Sequence, residues 1–283
     1  NSAAVVVASA LADSSISYVG FCDKGSSVPG LSEWIEQLIA ESTGKDERGI
    51  LPVVVSQPHS PFYPTITFIN NGPLSVTGTL GGHFIFWEWV TALTSYLLNV
   101  DPFNQPNVTE AKEKTGALLQ RWQISGIEPQ VPAFETENVQ VFANSGLKSL
   151  AEFLAASFAM NPGYIALMAY LHRGVDDRIT LLREKIENAS STPVTFGWGP
   201  RFLHSTGQFH KGGPKVGSFI QITGATKISW PIQGTSYGFE TLVMAQALGD
   251  NEALRARNYP TLRFHLKNRA AGIEELLRAA DSL

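Results

Sequence analysis

The chain has 283 residues, 43% hydrophobic and 16% charged, with a formal net charge of −4, a balance that supplies a sizeable core for one large domain or two modest ones. It has no cluster of Lys and Arg of the kind a nucleic acid or an anionic membrane surface would require, and no apolar stretch long enough to span a bilayer. Its one cysteine, Cys22, excludes an intrachain disulfide and makes a reducing, cytoplasmic setting the expectation, in which the sequons at Asn107 and Asn188 are coincidental.

Residues 1–12 read as helix interior without a leading cap, so the chain is expected to be a fragment of a longer protein. Ile16–Phe21 alternates and is β-rich, which predicts a strand. A helix is predicted from Ser32, as its cap, to Ser42, with Leu31, Ile35 and Leu38 as its apolar stripe and Gly44 as its stop. Strands are predicted at 50–56 and 66–69, and helices at 82–99 and 106–123, the latter opening on Pro106. Residues 124–138, rich in Pro, Glu and Gln, read as a linker. Beyond it come a strand at 139–142, a helix at 147–158, a segment at 166–171 that suits strand or helix, and a charged helix at 175–188. Residues 191–217 are Gly-rich and read as a loop. A strand at 218–223, helices at 236–248 and near 250–257, a strand at 261–266 and a helix at 270–281 complete the chain. Strand–helix alternation of this kind predicts an α/β protein with a mainly parallel sheet covered by helices on both faces.

Three constellations carry candidate chemistry. Gln37 and Glu41 lie four apart on one helix face, with Glu41 in the last turn, where the negative end of the helix dipole raises a carboxyl pKa toward that of a useful base. An ordinary solvated helix end fits the same residues, and composition alone favours it. In the second, Asp101-Pro-Phe forms a turn, Gln105 lies at a helix N-terminus suited to an oxyanion or a sugar hydroxyl, and Lys112 follows two turns in. A capped helix with an exposed lysine fits equally. The third runs from Gly199 to Pro214 and packs Arg201, His204, Ser205, Thr206, Gln208, His210 and Lys211 among glycines that allow close backbone approach. His204 and His210 match no zinc spacing, and no phosphate-cradling G-x-x-x-x-G-K-[ST] run is present.

The segment Gln37-x-x-x-Glu41-Ser-x-Gly-Lys45 resembles the stretch of phosphoglucose isomerases that carries the catalytic glutamate. Phe103-Asn-Gln-x-x-Val-x-x-x-Lys112 is similar to that family's C-terminal signature, which ends in an active-site lysine. Asn107, where a small residue is usual, and the run Pro200-Arg-Phe-Leu-His-Ser-Thr-Gly-Gln-Phe-His-Lys-Gly-Gly-Pro214 resemble the variant fused to transaldolase. The resemblance extends over essentially the whole chain. It implies a three-layer α/β/α sugar-isomerase domain at 1–125, incomplete at its N-terminus, and a further α/β region at 126–283 carrying the loop 197–214. It implies an enzyme without metal or cofactor that interconverts glucose 6-phosphate and fructose 6-phosphate through a cis-enediol. Glu41 would then be the base, Gln37 the phosphate contact, Gln105 a substrate contact and Lys112 the group near the ring oxygen. Arg201, Gln208 and Lys211 would contact substrate. The family's ring-opening histidine sits in a His-Ser-x-x-Gln context between the other two motifs. His59 occupies that interval without the context, whereas His204-Ser-Thr-Gly-Gln208 has the context in a displaced position, so His204 is either the displaced equivalent or a loop anchor. The family's phosphate-gripping Ser/Thr loop would lie in a preceding segment. The resemblance further implies a homo-oligomer and a fused or associated transaldolase. The alternative is a non-catalytic sugar-phosphate-binding or assembly module.

Overall fold

The computed structural model describes residues 2–13, 17–70, 72, 74–125, 130–143, 146–226 and 228–283. Ile16 and residues 126–129 of the expected linker lie outside them. In chain order the elements begin with helix α1 (Ala3–Leu11), strand β1 (Tyr18–Cys22), α2 (Leu31–Thr43), β2 (Leu51–Val54), β3 (Thr65–Thr67), β4 (Leu74–Ser75), α3 (Leu80–Leu98) and α4 (Pro106–Ser125). There follow β5 (Phe134–Glu135), β6 (Val139–Phe142), α5 (Leu150–Ala156), β7 (Tyr164–Tyr170), α6 (Leu181–Ser190) and β8 (Val194–Trp198). A 3-10 turn at Arg201–His204 leads into α7 (Thr206–Gly212), β9 (Gly217–Gly224), α8 (Phe239–Ala256), β10 (Thr261–Leu266) and α9 (Arg269–Ala280). No helix among the described residues is long and apolar enough to cross a membrane.

The elements form two compact units. The first comprises residues 1–108 and 202–215, the second 109–201 and 216–283. The first unit has a parallel sheet of order β2-β1-β3-β4. Alternation along the strands sends Val19, Phe21, Ile66 and Phe68 to one face, where they join Ala4 and Ala8 of α1, Ile35 and Ile39 of α2, and Trp87 and Val90 of α3 in one core. Phe21 stacks on Phe68 and meets the Trp87 ring edge-on at 5.3 Å. The helix α2 buries Leu31, Ile35 and Ile39 at helical spacing. Its first turn is capped from a distance: the Asp23 carboxylate accepts from Gly30 N at 2.7 Å and Ser32 N at 3.1 Å. Ser32, expected as the cap, is instead buried inside the helix.

The second unit has the sheet order β5-β6-β10-β9-β7-β8, parallel from β10 to β8 and antiparallel at β5 and β6. Ile165, Leu167, Ile220, Ile222, Phe264 and Leu266 share a core with α5, α6 and α9. On the other face Gln221 donates to Ala247 O of α8 at 2.9 Å, and Leu118 and Trp122 of α4 pack on Ala245 of α8. This unit is therefore a three-layer α/β/α arrangement, and the α/β class with a mainly parallel sheet holds for the molecule. Of residues 166–171, which suit either state in sequence, 166–170 are strand: β7 is an interior strand buried along its whole length, so its apolar run has no polar alternation to display. The structure divides the chain at 108/109 rather than at 125/126: residues from Thr109 onward belong to the second unit, in which Leu118 and Trp122 of α4 pack on Ala245 of α8.

Candidate active site

The site is built at the C-terminal end of α2. Thr43 Oγ1 donates to Ile39 O at 2.7 Å and accepts from Ile50 N at 3.3 Å, which stitches the last turn to the following strand. The chain leaves through Gly44 and reverses with Asp46, Glu47 and Gly49 at positive φ, of which Gly49 at 116° is open only to glycine. Glu41 is half-buried in that last turn. Gln37 Nε2 lies 3.5 Å from its Oε2. Burial pushes the Glu41 carboxyl above the usual carboxylate range. The hydrogen bond from Gln37, the charges of His204 and Lys45 and a hydrogen bond from Gln105 oppose that shift without reversing it. The direction is the one the helix-end position predicts, with desolvation as its main cause.

Lys45 is buried and donates to Asp101 O. Burial lowers its pKa, while Asp101, Glu41 and Asp46 hold it up. It was not among the candidate residues, although the 37, 41, 45 spacing extends one helix face past Gly44 and was the available signal. Asp101 also shapes the turn before α4, accepting from Phe103 N and Asn104 Nδ2, each at 2.9 Å. That turn presents Gln105, exposed, at the start of α4.

The segment 191–217, read as a loop, holds β8, a 3-10 turn and α7. Every residue of α7 is buried. Gln208 is fully buried and uses both ends of its amide: Oε1 accepts from Asn107 N at 3.1 Å, and Nε2 donates to Gly44 O at 2.9 Å and Asn107 Oδ1 at 2.8 Å. One side chain thus satisfies a carbonyl just beyond α2 and an N–H in the first turn of α4. Lys211, also buried, donates to Gly207 O at 3.2 Å. His210 is buried, and burial together with the Lys211 charge holds its pKa well below the ordinary value.

Of the expected site residues, Gln37, Gln105 and His204 all act on the Glu41 carboxyl within the first unit, as does Lys45. His204 is exposed at the end of its 3-10 turn and reaches Glu41 electrostatically; His59 is exposed on the loop after β2. Gln208 and Lys211 turn their polar groups onto the protein. Lys112, exposed on α4, and Arg201, half-buried, belong to the second unit. Asn107, named as a sequon and as a departure from a motif, proves to be a partner of Gln208.

No family model matches the sequence, and no curated protein resembles it significantly. Among solved structures it is similar to a hypothetical protein of Thermus thermophilus, at 11% identity over 98% of this chain and 78% of that one, with a TM-score of 0.39. It is also similar to the C-terminal domain of glucosamine-fructose-6-phosphate aminotransferase from Francisella tularensis, at 7% identity over 98% and 89% of the two chains, with a TM-score of 0.30. At this level of likeness neither protein lends a residue role to this chain.

Proposed function

We propose that the chain carries the proton-transfer site of an aldose–ketose isomerase acting on sugar phosphates, with glucose 6-phosphate and fructose 6-phosphate as the pair suggested by the motif resemblance. The observation that carries the reading is the half-buried Glu41 carboxyl, raised in pKa and set among Gln37, Gln105, Lys45 and His204. A general base works best with a pKa lifted toward the operating pH, and partial burial supplies that lift here. Two amide side chains fix its orientation, and the Lys45 charge that acts on it is suited to stabilise a developing enediolate oxygen.

In the proposed reaction His204 gives a proton to the ring oxygen as the C1 hydroxyl loses one, which opens the sugar. Glu41 then takes the C2 proton of the aldehyde while O1 takes a proton from water, giving the cis-enediol. The proton returns from Glu41 to C1, O2 releases its hydroxyl proton, and the ketose results. Gln37 is assigned the phosphate and Gln105 a substrate hydroxyl. Lys112 keeps its assignment to the ring-oxygen region and Arg201 its assignment to substrate, both by motif resemblance. Gln208 and Lys211 are assigned to support α7, on which the position of His204 depends.

Glu41→Gln keeps the shape of the side chain and removes the base. In the full chain it should slow deuterium uptake from D2O into fructose 6-phosphate by roughly 10²–10⁴-fold while leaving fructose 6-phosphate binding largely intact. Near-normal exchange in this variant would sink the mechanism. Saturable binding with no exchange in the unmodified protein would point instead to a non-catalytic sugar-phosphate module.

A further inference from the structure

In the second unit, Arg263 of β10 is 6% exposed. Its guanidinium lies 3.8 Å over the centre of the Phe142 ring, which holds the planar fork in one orientation. It donates to Gln130 Oε1. Among the described residues no carboxylate pairs with it. A buried guanidinium without a counter-charge is costly, and its five N–H donors exceed what one amide oxygen can accept. Burial lowers its pKa to about 10, so it stays charged at neutral pH.

A cavity of about 230 Å³ opens beside this group, lined by Gln130, Phe142, Asn251, Arg255, Thr261 and Arg263 among others, with no acidic residue among the described residues of its wall. His265, on the same face of β10, is held to about 4 by burial and by the charges of Arg263 and Arg269, and therefore adds no charge at neutral pH. The volume is below the roughly 300–1,000 Å³ of drug-sized ligand sites, and the donors are those that recognise oxyanions. We infer that this cavity binds a small anion through a phosphate or carboxylate group, with Arg263 and Arg255 as the cationic contacts and Asn251 and Thr261 as further hydrogen-bond partners. The site involves none of the residues around Glu41.

The test is calorimetric titration of the full chain with inorganic phosphate and, separately, with succinate at fixed ionic strength. At least one anion should give a saturable event that weakens roughly tenfold or more in Arg263→Met and in Arg255→Gln. That event should persist in Gln37→Ala, which removes the phosphate contact assigned at the other site. A response to phosphate alone marks a phosphate-bearing ligand, and a response to succinate alone marks a carboxylate-bearing one. No saturable event with either anion, or an event unchanged in the arginine variants, overturns the assignment. Should Arg263→Met fail to fold, Arg255→Gln decides.

Discussion

His265 and His210 are two imidazoles whose protonation the fold resists. Burial holds both below the ordinary value, aided by Arg263 and Arg269 at His265 and by Lys211 at His210. An unfolded chain takes up protons on these rings near pH 6.5, whereas folded His265 does so only near 4. Unfolding therefore binds protons as pH falls through this window. The stability linked to these groups is fully present above about pH 6.5 and drains away toward pH 4. Urea midpoints should drop between pH 7.5 and pH 5, with roughly 1–2 kcal/mol of the loss due to His265 after allowance for its partial exposure. His265→Gln should flatten that slope, and an unchanged slope would contradict the assignment. At this scale Gln37 and Glu41 are legible as one helix face and Gln105 as the residue before a proline that starts a helix, whereas Lys45 lies past the end of α2 at Thr43. Gln208 and Lys211 were misleading for a physical reason. A polar side chain among glycines has the same appearance whether it awaits a ligand or satisfies a carbonyl of its own chain, as Gln208 does at Gly44.

At the scale of elements, the contact between α2 and α7 depends on missing side chains. A Cβ on Gly44 would lie 2.4 Å from Phe209 Cα, and one on Gly212 would lie 2.5 Å from Gly44 O. Backbone atoms cannot step aside as a flexible side chain can, so Gly44→Ala must push the two helices apart. We expect a loss of about 1–3 kcal/mol by urea unfolding, together with weakened coupling between His204 and Glu41 that should show as slower proton exchange. A variant as stable and as active as the parent would mean that the contact is looser than described. The same packing explains why α7 escaped the sequence reading. Seven residues with two glycines have little intrinsic helical tendency, and the helix is stabilised by what surrounds it. The opposite error arose at α8, read as two helices divided near Gly249. That glycine lies where α4 passes, with its would-be Cβ 2.8 Å from Thr115 Oγ1, and the helix continues through it. β6 and β10 were placed to the residue because β-branched and aromatic residues end there at turn signals.

At the scale of the molecule, the chain crosses between its two units more than once: residues 202–215 return to the unit begun by residues 1–108. Two of the three crossings fall inside α4 and inside the 3-10 turn, where composition gives no warning, and the third follows the Gly212-Gly213-Pro214 connection between α7 and β9. Cooperative units open together, so amide exchange should group the α7 amides with those of α2 and β1 rather than with the neighbouring strands β8 and β9. Protection of α7 that tracks β8 and β9 would refute the division. The interleaving also has a consequence for the order of synthesis. Leaving the ribosome N-terminus first, the chain delivers α2 well before the segment that holds its end in place. Strands β5 to β8 emerge in the interval, while β9 and β10, which complete their sheet, come later still. Neither unit can close before the other has begun, so the nascent chain must carry an open α2 terminus, and with it an unfinished setting for Glu41, until residue 215 is free to fold.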